Sequence, residues 1–392
     1  MSSSENRCLF TLRFAAIVAV CFLGAGLVRN CCAADPAASE LSGEFKIGKD
    51  GRLVLLPVTL GPKTISCLVD TGASLCAFDT TLKEFLGQSR GTRNLQGAEG
   101  PFRVETFDWP DARLGEQVLK TEQPVACLDL RHIREATNEP VLGVLGMDLL
   151  RTARFQIDFD EGIFRFLSSS PDDSRDWGER VSVRFMRDGP PLIAGSPGAD
   201  VHDDFVIDTG AQGNSLQEAL FDALIDDGRI RRGASFTSVA ATRQVRGQRG
   251  RVDRFSIGPL EHRGLRFSRL KYNSLGLRYF SRYVVTFDFP DGFIYLRKGA
   301  HHARPEPRAT SGLTLKWQDG LPVVESVRAD GPAARAGLAR PDVLVRIDDE
   351  EATAFDHFSL RELLTSEPGR AVKLSVRRGD RVLEFAVVLD ED

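Results

Sequence analysis

The chain has 392 residues, of which 42% are hydrophobic and 27% are charged, so it is long enough for two or three packed domains and lacks the composition of a disordered protein. Its formal net charge of -4 gives no electrostatic basis for binding nucleic acid, and its arginines are interspersed with acidic residues. We therefore expect a multidomain globular protein without a nucleic-acid partner.

Residues 1–34 have the pattern of a secretory signal peptide. Arg7 and Arg13 give a positively charged start, residues 14–28 are apolar, and Cys32-Ala33-Ala34 supplies small residues for cleavage. The apolar segment is shorter than the roughly 20 residues of a membrane span, although an uncleaved segment that anchors the chain remains the alternative. The pattern predicts export to the periplasm or the extracellular space, with membrane contact only through an uncleaved signal segment.

Two successive parts of the chain have the pattern of β-lobes. Residues 44–167 alternate short apolar runs with Gly, Pro, Asp and Asn turns, which predicts a first, mostly β lobe. A polar stretch at 168–174 indicates a linker. Residues 181–298 repeat the β pattern, with one predicted helix at 216–225 and a shorter counterpart at 80–86.

A second break, rich in Pro and basic side chains, lies at 298–310 and precedes a third predicted domain at 309–392. Small residues at 333–337 predict a short, closely packed helix that ends at Gly337. A second helix is predicted at 358–364, before two closing strands. These patterns predict a small α+β domain.

The sequence Asp-Thr-Gly-Ala occurs twice, at residues 70–73 and 208–211, each time directly after an apolar run typical of a buried strand. Two further pairs of segments repeat downstream at a similar offset: Leu145-Gly146 with Leu275-Gly276, and Phe155–Phe159 with Val285–Phe289. The nearly constant offset indicates an internal duplication in which each half supplies one equivalent unit.

The repeated motif suits a site in which two carboxyl groups hold one water. The glycine permits a sharp turn and close approach, and the threonine hydroxyl can hydrogen-bond to the other turn. When Asp70 and Asp208 meet, both cannot ionise easily, so one pKa rises and the pair shares a proton. One carboxyl then accepts a proton from water while the other donates to the substrate carbonyl, with the two roles left unassigned. The predicted site has Asp70 and Asp208 as catalytic residues, supported by Thr71, Gly72, Ala73, Thr209, Gly210 and Ala211.

On these motifs, residues 45–298 resemble the retropepsin and pepsin type of aspartic protease. Gly146 and Gly276 fall where each lobe of that family has a hydrophobic-hydrophobic-Gly element beneath the catalytic turn. Ala after Gly is similar to the retroviral-type members, in which two identical subunits each supply one Asp. The resemblance implies a bilobal pair of β-barrels that needs no metal or organic cofactor. Because both Asp residues lie in one chain, it also implies activity as a monomer.

That family closes a β-hairpin flap over the bound peptide. Residues 96–100 in lobe one and residues 247–250 in lobe two lie between the acid turn and the later glycine, where a flap turn is expected. Neither segment has the Tyr of pepsin-like flaps. Surface hairpin turns without a role are the alternative.

Residues 309–392 resemble a PDZ domain of the bacterial secreted-protease type, through the segment 331–338 and through Gly312-Leu313-Thr314-Leu315. In that family the latter loop offers backbone N–H groups to a peptide's C-terminal carboxylate, and the adjacent strand adds the peptide to its sheet edge. Pro341 replaces the usual Gly, and Glu350-Glu351 the usual Asn-Gly turn. The resemblance predicts a C-terminal peptide ligand, with a purely structural or regulatory module as the alternative.

Without residues 1–34 the chain keeps Cys67, Cys76 and Cys127, which allows one disulfide at most. Cys67 and Cys76 flank the first acid motif, and we favour buried, unbonded side chains over a bond between them. The paired histidines His301-His302 have no other ligand types nearby, so no metal site is predicted.

The leading hypothesis is an exported aspartic endopeptidase whose water is activated by Asp70 and Asp208, with a PDZ domain that captures or positions a substrate or partner peptide. Two alternatives remain. One is a non-catalytic peptide-binding protein that uses the protease groove and the PDZ domain. The other is an enzyme that processes a single partner protein.

Overall fold

A computed structural model describes residues 41–391 except 98–99, 173–174, 188, 199 and 240–243. The signal segment predicted at 1–34 lies outside the described residues. The described chain is mostly β-strand, with a few short helices. In this part of the chain no helix is both long and apolar enough to cross a membrane.

The described part of the first lobe contains twelve strands and two α-helices. Its strands are β1 (Glu44–Lys46), β2 (Leu55–Leu60), β3 (Lys63–Val69), β4 (Ala77–Asp79), β5 (Ser89–Gly97), β6 (Gly100–Phe107), β7 (Ala112–Leu114), β8 (Gln117–Leu119), β9 (Val125–Leu128), β10 (Val141–Leu145), β11 (Arg154–Asp158) and β12 (Ile163–Phe166). Its α-helices are α1 (Arg131–Thr137) and α2 (Met147–Leu150), and a 3-10 helix spans Thr80–Phe85.

The second lobe follows with the strands β13 (Glu179–Ser182), β14 (Arg184–Phe185), β15 (Pro191–Gly195), β16 (Asp203–Ile207), β17 (Asn214–Gln217), β18 (Ile230–Val239), β19 (Gln244–Ile257), β20 (Leu260–Leu270), β21 (Ser274–Leu275), β22 (Tyr283–Asp288) and β23 (Phe293–Lys298). Its helices are α3 (Glu218–Asp226) and α4 (Leu277–Phe280).

The main sheets of the two lobes have the same strand order. Lobe one runs β5-β6-β9-β4-β10-β3-β2, and lobe two runs β18-β19-β20-β17-β21-β16-β15. Lobe one extends beyond β2 with the β7-β8 hairpin, and lobe two extends beyond β15 with β14. Both sheets are open among the described strands, so the expected lobes are present as open sheets and not as closed barrels. The matching strand order agrees with the internal duplication inferred from the sequence.

A separate six-stranded sheet joins the two lobes, with the order β1-β12-β11-β22-β23-β13. Its central strands β11 and β22 are antiparallel, and Gln156 lies opposite Thr286. These two residues are equivalent in the repeat, 130 positions apart, and the Gln156 amide donates to the Thr286 hydroxyl at 2.7 Å. Beside them the Phe155 and Phe287 rings stack with centroids 4.6 Å apart. The sheet is therefore symmetric about its own centre, as expected for paired halves.

The helices of the lobes partly match the sequence pattern. The helix expected at 216–225 begins at Glu218 and buries Phe221 and Leu224. The segment expected at 80–86 is the 3-10 helix. Helix α1 was not predicted, because its sequence has too few apolar residues to show a helical period.

The C-terminal domain has the strands β24 (Ala309–Thr310), β25 (Leu313–Gln318), β26 (Leu321–Val327), β27 (Val343–Ile347), β28 (Glu350–Glu351), β29 (Ala371–Arg378), β30 (Arg381–Val388) and β31 (Asp390–Glu391), with the helices α5 (Pro332–Ala336) and α6 (His357–Leu364) and a 3-10 helix at Ala352–Ala354. Helix α5 ends at Gly337, whose φ of 97° is readily adopted only by glycine. Asp356 caps α6 through the Ser359 amide. The domain has its own apolar core, which includes Val324, Leu344, Leu360 and Val376.

Candidate active site

Each of the two repeated acids begins a turn at the end of a strand, β3 for Asp70 and β16 for Asp208. The Asp70 amide donates to the Leu145 carbonyl and the Asp208 amide donates to the Leu275 carbonyl, both at 3.0 Å. Leu145 and Leu275 end the strands β10 and β21. Each acid is therefore held by the strand that precedes it and by the strand that ends in Leu145 or Leu275.

The threonines of the two turns bind each other's lobes through four hydrogen bonds. The Thr71 amide donates to the Thr209 hydroxyl, and the Thr209 amide donates to the Thr71 hydroxyl, both at 3.0 Å. The Thr71 hydroxyl donates to the Ile207 carbonyl at 2.6 Å, and the Thr209 hydroxyl donates to the Val69 carbonyl at 2.7 Å. Both threonines are fully buried. This interlock holds the two turns in register and brings the acids together.

The glycine of each turn faces the acid of the other. A Cβ atom on Gly72 would lie 2.7 Å from the Asp208 Cγ, and a Cβ atom on Gly210 would lie 2.3 Å from the Asp70 Cγ. Both distances are shorter than real carbon contacts, so any side chain at either position would displace the opposite carboxyl group. Glycine is therefore required here by the close approach of the two acids.

The two carboxyl groups lie close enough for each to affect the pKa of the other. Burial raises the pKa of Asp70, against hydrogen bonds from the Gly72 and Ala73 amides that lower it. Burial, followed by the charge of Asp70, raises the pKa of Asp208 to about 8. The Ala211 amide donates to Asp208 Oδ1 at 2.9 Å. A pair with raised pKa values can keep one proton and one negative charge near neutral pH, which is the state that can both accept and donate a proton.

Gly146 and Gly276, which the sequence analysis places beneath the acid pair, lie against the backbone of the two acid turns. A Cβ atom on Gly146 would lie 2.6 Å from the Leu75 carbonyl oxygen, and one on Gly276 would lie 2.5 Å from the Ala211 carbonyl oxygen. The amide that follows each glycine donates at 2.8 Å to an acid turn, from Met147 to Ala73 and from Leu277 to Ala211. Each glycine thus permits the backbone contact that supports its turn.

Two residues that support the acid turns were not predicted from the sequence. The Gly146 amide donates to the Cys76 Sγ at 3.2 Å, and the Gly276 amide donates to the Asn214 Oδ1 at 3.1 Å. Cys76 and Asn214 occupy equivalent positions in the repeat, each six residues after its acid. Because thiol and amide differ chemically, only the constant offset between the repeats could have revealed the equivalence.

A hairpin is present where the flap turn of lobe one is predicted, whereas the turn predicted in lobe two is wrong. Strands β5 and β6 form a hairpin in which Gly97 pairs with Gly100, so residues 98–99, outside the described residues, connect them. Residues 247–250 lie inside β19, and the hairpin of lobe two turns between Val239 and Gln244. Gly250 has a packing role, because a Cβ atom there would lie 2.4 Å from the Ile230 Cγ2. Its glycine therefore indicated close packing and not a turn.

The segment Gly312-Leu313-Thr314-Leu315 lies at the start of β25, an edge strand of the main sheet in the C-terminal domain. Gly312 has a φ of 74°. Its amide donates to the Thr310 hydroxyl at 3.1 Å, and the Leu313 amide donates to the Ser311 hydroxyl at 3.3 Å. A peptide carboxylate that used these two amides would replace the hydroxyl oxygens.

A polar contact connects helix α6 to the second acid turn. Gln212 directly follows the turn, and Arg361 of α6 donates to its side-chain carbonyl at 3.1 Å. The Gln212 amide group donates in turn to the Gly51 carbonyl at 3.3 Å. Burial, followed by the charges of nearby arginines such as Arg278, lowers the pKa of Arg361 to about 9. No local sequence pattern indicates this contact, because it joins residues 149 positions apart.

The remaining candidate residues are the three cysteines and the paired histidines, and the structure shows what each of them contacts. Cys67, Cys76 and Cys127 are buried free thiols, and burial raises the pKa of the Cys67 thiol. His301 contacts the Asp50 carboxylate at 2.8 Å, and the His302 ring lies 4.9 Å from the His262 ring. Within the described ranges, no cluster of three or more His, Cys, Asp or Glu side chains could hold a metal ion.

Comparison with known protein families identifies two domains. A family model described as aspartyl protease matches residues 56–149, and one described as PDZ domain matches residues 311–389. The chain therefore carries an aspartyl protease domain followed by a PDZ domain, in the order that its motifs predict.

The comparison with individual proteins is narrower. No curated protein matches the chain. Among solved structures, the PDZ domain of the carboxy-terminal protease from Vibrio cholerae, in complex with a peptide, is 21% identical. The match covers 22% of this chain and 96% of that one, with a TM-score of 0.20.

Proposed function

We propose that this chain is an aspartic endopeptidase in which Asp70 and Asp208 activate a water molecule. The observation that carries the proposal is the mutual fit of the two turns. The Thr71 and Thr209 interlock spans the lobes, and the opposite carboxyl group fills the space beside each glycine. Two structural turns that met by accident would not need both features.

The proposed reaction follows from a pair that shares one proton. The ionised carboxyl accepts a proton from water, and the resulting hydroxide attacks the peptide carbonyl while the protonated carboxyl donates to its oxygen. The tetrahedral intermediate collapses as the carboxyl that took the water proton gives it to the amide nitrogen, the C–N bond breaks, and a hydroxyl of the intermediate returns its proton to the other carboxylate. The pair is thereby returned to its singly protonated state. Because the titrations are coupled, either acid can start as the base.

The PDZ domain is proposed to bind the C-terminus of a substrate or partner peptide. The PDZ match at residues 311–389 supports this proposal. Among the described strands, β25 has a single sheet partner, β26, so its other edge is the one at which a peptide strand would add. The ligand is an extended peptide with a free carboxylate.

Export is proposed from residues 1–34 alone, which lie outside the described residues. We expect the mature protein to be periplasmic or extracellular, and to begin after the small residues Cys32-Ala33-Ala34. N-terminal sequencing of the protein from each cell fraction tests both expectations. A protein that stays in the cytoplasm with an intact N-terminus contradicts them.

Cleavage of a diverse peptide mixture tests the catalytic proposal. The chain without residues 1–34 is compared with Asp70→Asn, Asp208→Asn and the double variant from about pH 3 to pH 8. Each single change is expected to lower kcat by at least roughly 10⁴-fold, and the double change no further, because the acids work as one unit. Asp226→Asn, at an exposed acid of lobe two, is the matched control, and thermal unfolding confirms that each variant is folded.

The outcomes separate the three hypotheses. Cleavage that survives in the double variant excludes the paired-acid mechanism. A folded native protein that binds peptides and cuts none supports the non-catalytic peptide-binding protein. A native protein that cuts one specific protein but no peptide supports an enzyme with a single partner.

A further inference from the structure

Helix α1 of the protease domain lies against the PDZ domain. It runs beside strand β25 and contacts α6, the second helix of the PDZ fold. Helix α1 also lies next to β18, the first strand of the hairpin in lobe two. An element of lobe one therefore meets the PDZ domain and the second lobe at the same place.

The position of α1 coincides with the surface on which a PDZ domain adds a peptide. One edge of β25 pairs with β26, so a neighbour of β25 outside the sheet lies at its other edge or on its face. Helix α6 flanks this strand, as the Trp317 ring of β25 and the His357 ring of α6 lie 5.4 Å apart. Because α1 contacts both β25 and α6, it stands where an added peptide strand would run.

Contacts on both sides stabilise this arrangement. Arg134 of α1 donates to the Asp79 carboxylate at 2.8 Å and to the Val141 carbonyl at 3.0 Å, which fixes α1 to lobe one. Arg52 of lobe one pairs with Asp356 at the start of α6. The Arg52 guanidinium also lies 5.2 Å from the Phe358 ring centroid. The contact between α1 and the PDZ domain is thus one part of a larger interface.

We propose that helix α1 is an internal competitor for the PDZ groove, so that a peptide with a free C-terminal carboxylate binds only as α1 leaves β25 and α6. The proposal rests on the proposed peptide binding by the PDZ domain and adds its regulation. The apparent affinity for peptide is then reduced by the small fraction of molecules in which α1 is undocked.

Both acid turns adjoin elements that the exchange would disturb. Helix α1 leads into β10, whose last residue, Leu145, accepts the Asp70 amide. Helix α6 carries Arg361, which binds Gln212 beside the Asp208 turn. Peptide capture and the geometry of the acid pair are therefore connected through one short segment on each side.

The test compares peptide binding by variants of the whole chain in an Asp208→Asn background, so that bound peptide is not cleaved. Glu135→Gly with Ala136→Gly weakens the α1 helix while leaving Arg134 in place. Ala219→Gly with Ala223→Gly, at exposed positions of α3, is the matched control. The probe is a randomised peptide pool with free C-termini, beside the same pool with amidated C-termini.

We expect the α1 variant to bind the free-carboxylate pool roughly tenfold more tightly than the native and control chains, since two glycines destabilise a helix enough to raise the undocked fraction by that factor. The amidated pool should bind to none of them. Peptide should also speed hydrogen exchange at the amides of α1 in the native chain, while it slows exchange in β25.

Two results would overturn the proposal in different ways. Equal affinities for the native chain and the α1 variant, or unchanged exchange in α1 with peptide bound, show that α1 does not compete, while peptide binding by the PDZ domain stands. If none of the chains binds the peptide pool, both the peptide binding and the competition by α1 are excluded. The peptidase assay on chains with both acids intact reports on the catalytic proposal independently of either result.

Discussion

The two lobes are nearly identical where they hold the acids and different at their periphery. Both use the same strand order and the same backbone bonds, from each acid to Leu145 or Leu275. Lobe one adds the β7-β8 hairpin and helix α1, and lobe two has the longer β18-β19 hairpin. The comparison shows that the duplication retains the strands and backbone bonds that hold the two acids. Helix α1 has no counterpart in the described part of the second lobe, and it is one of the elements that contact the PDZ domain.

A second difference lies directly beneath the acids. The thiol of Cys76 accepts the Gly146 amide, and the side-chain carbonyl of Asn214 accepts the Gly276 amide. In lobe two the polar support continues, because the Ser215 and Ser274 hydroxyls lie 2.8 Å apart. The same backbone is therefore held by a weak acceptor in one lobe and by a strong one in the other.

The symmetric part of the lobes predicts equal losses from equal changes. Thr71→Val and Thr209→Val each remove one donated and one accepted hydrogen bond across the lobes, in a fully buried site. Each is expected to lower the free energy of unfolding by about 3 kcal/mol. Denaturant unfolding measures both losses, and Thr→Ser at each position, which keeps the hydroxyl, is the control. Losses that differ by more than about 1 kcal/mol would show that the interlock is not symmetric.

Substitution of the two glycines that face the acids is expected to lower activity to different extents. Gly210→Ala places a methyl group closer to the opposite carboxyl than Gly72→Ala does. Both changes should lower kcat by about 10²-fold, with Gly210→Ala the more severe, because a displaced acid loses its alignment with water and substrate. Gly213→Ala, where the added carbon meets nothing within 4 Å, is the control from the same turn. Full activity in Gly210→Ala would contradict the close approach of the acids.

The supports beneath the acids are expected to differ between lobes. Asn214→Ala leaves the buried Gly276 amide without its acceptor and should cost about 2 kcal/mol of unfolding free energy. Cys76→Ala removes a weaker acceptor and should cost less than about 1.5 kcal/mol. Cys67→Ala, at another buried thiol of lobe one, measures the cost of the lost volume alone. Thermal unfolding of all three distinguishes the two supports, and a larger loss for Cys76→Ala would reverse the assignment.

The acid pair makes stability depend on pH. Folding raises the pKa of Asp208 from 3.8 to about 8, through burial and the charge of Asp70. Between these values the folded chain holds more protons than the unfolded chain, so this acid lowers stability as pH rises through the window. Asp208→Asn should therefore raise the free energy of unfolding at pH 8 by at least about 1.4 kcal/mol, the equivalent of one pKa unit, and leave it unchanged near pH 3. Unfolding curves at both pH values test this, with Asp226→Asn as the control.

The sequence predicted the parts of the site in which the same residue type occurs in both repeats. The two acid motifs, Gly146 and Gly276 were found because identical residues recur at one spacing. Cys76 and Asn214 were missed because different side chains make the same bond. The false flap turn at 247–250 arose because glycine serves both turns and close packing. Arg361 and helix α1 were missed for another reason: their roles come from contacts between distant segments, which no local pattern records.

The sheet shared by the two lobes is built from a single chain, so the two halves stay together when the protein is diluted. Strands β11 and β22 belong to one polypeptide and meet along Gln156 and Thr286. The effective concentration of one half at the other is therefore set by the chain that connects them and not by the amount of protein in solution. Two separate halves would dissociate when diluted below their binding constant. A single folded copy of this chain keeps both acids facing each other at any dilution.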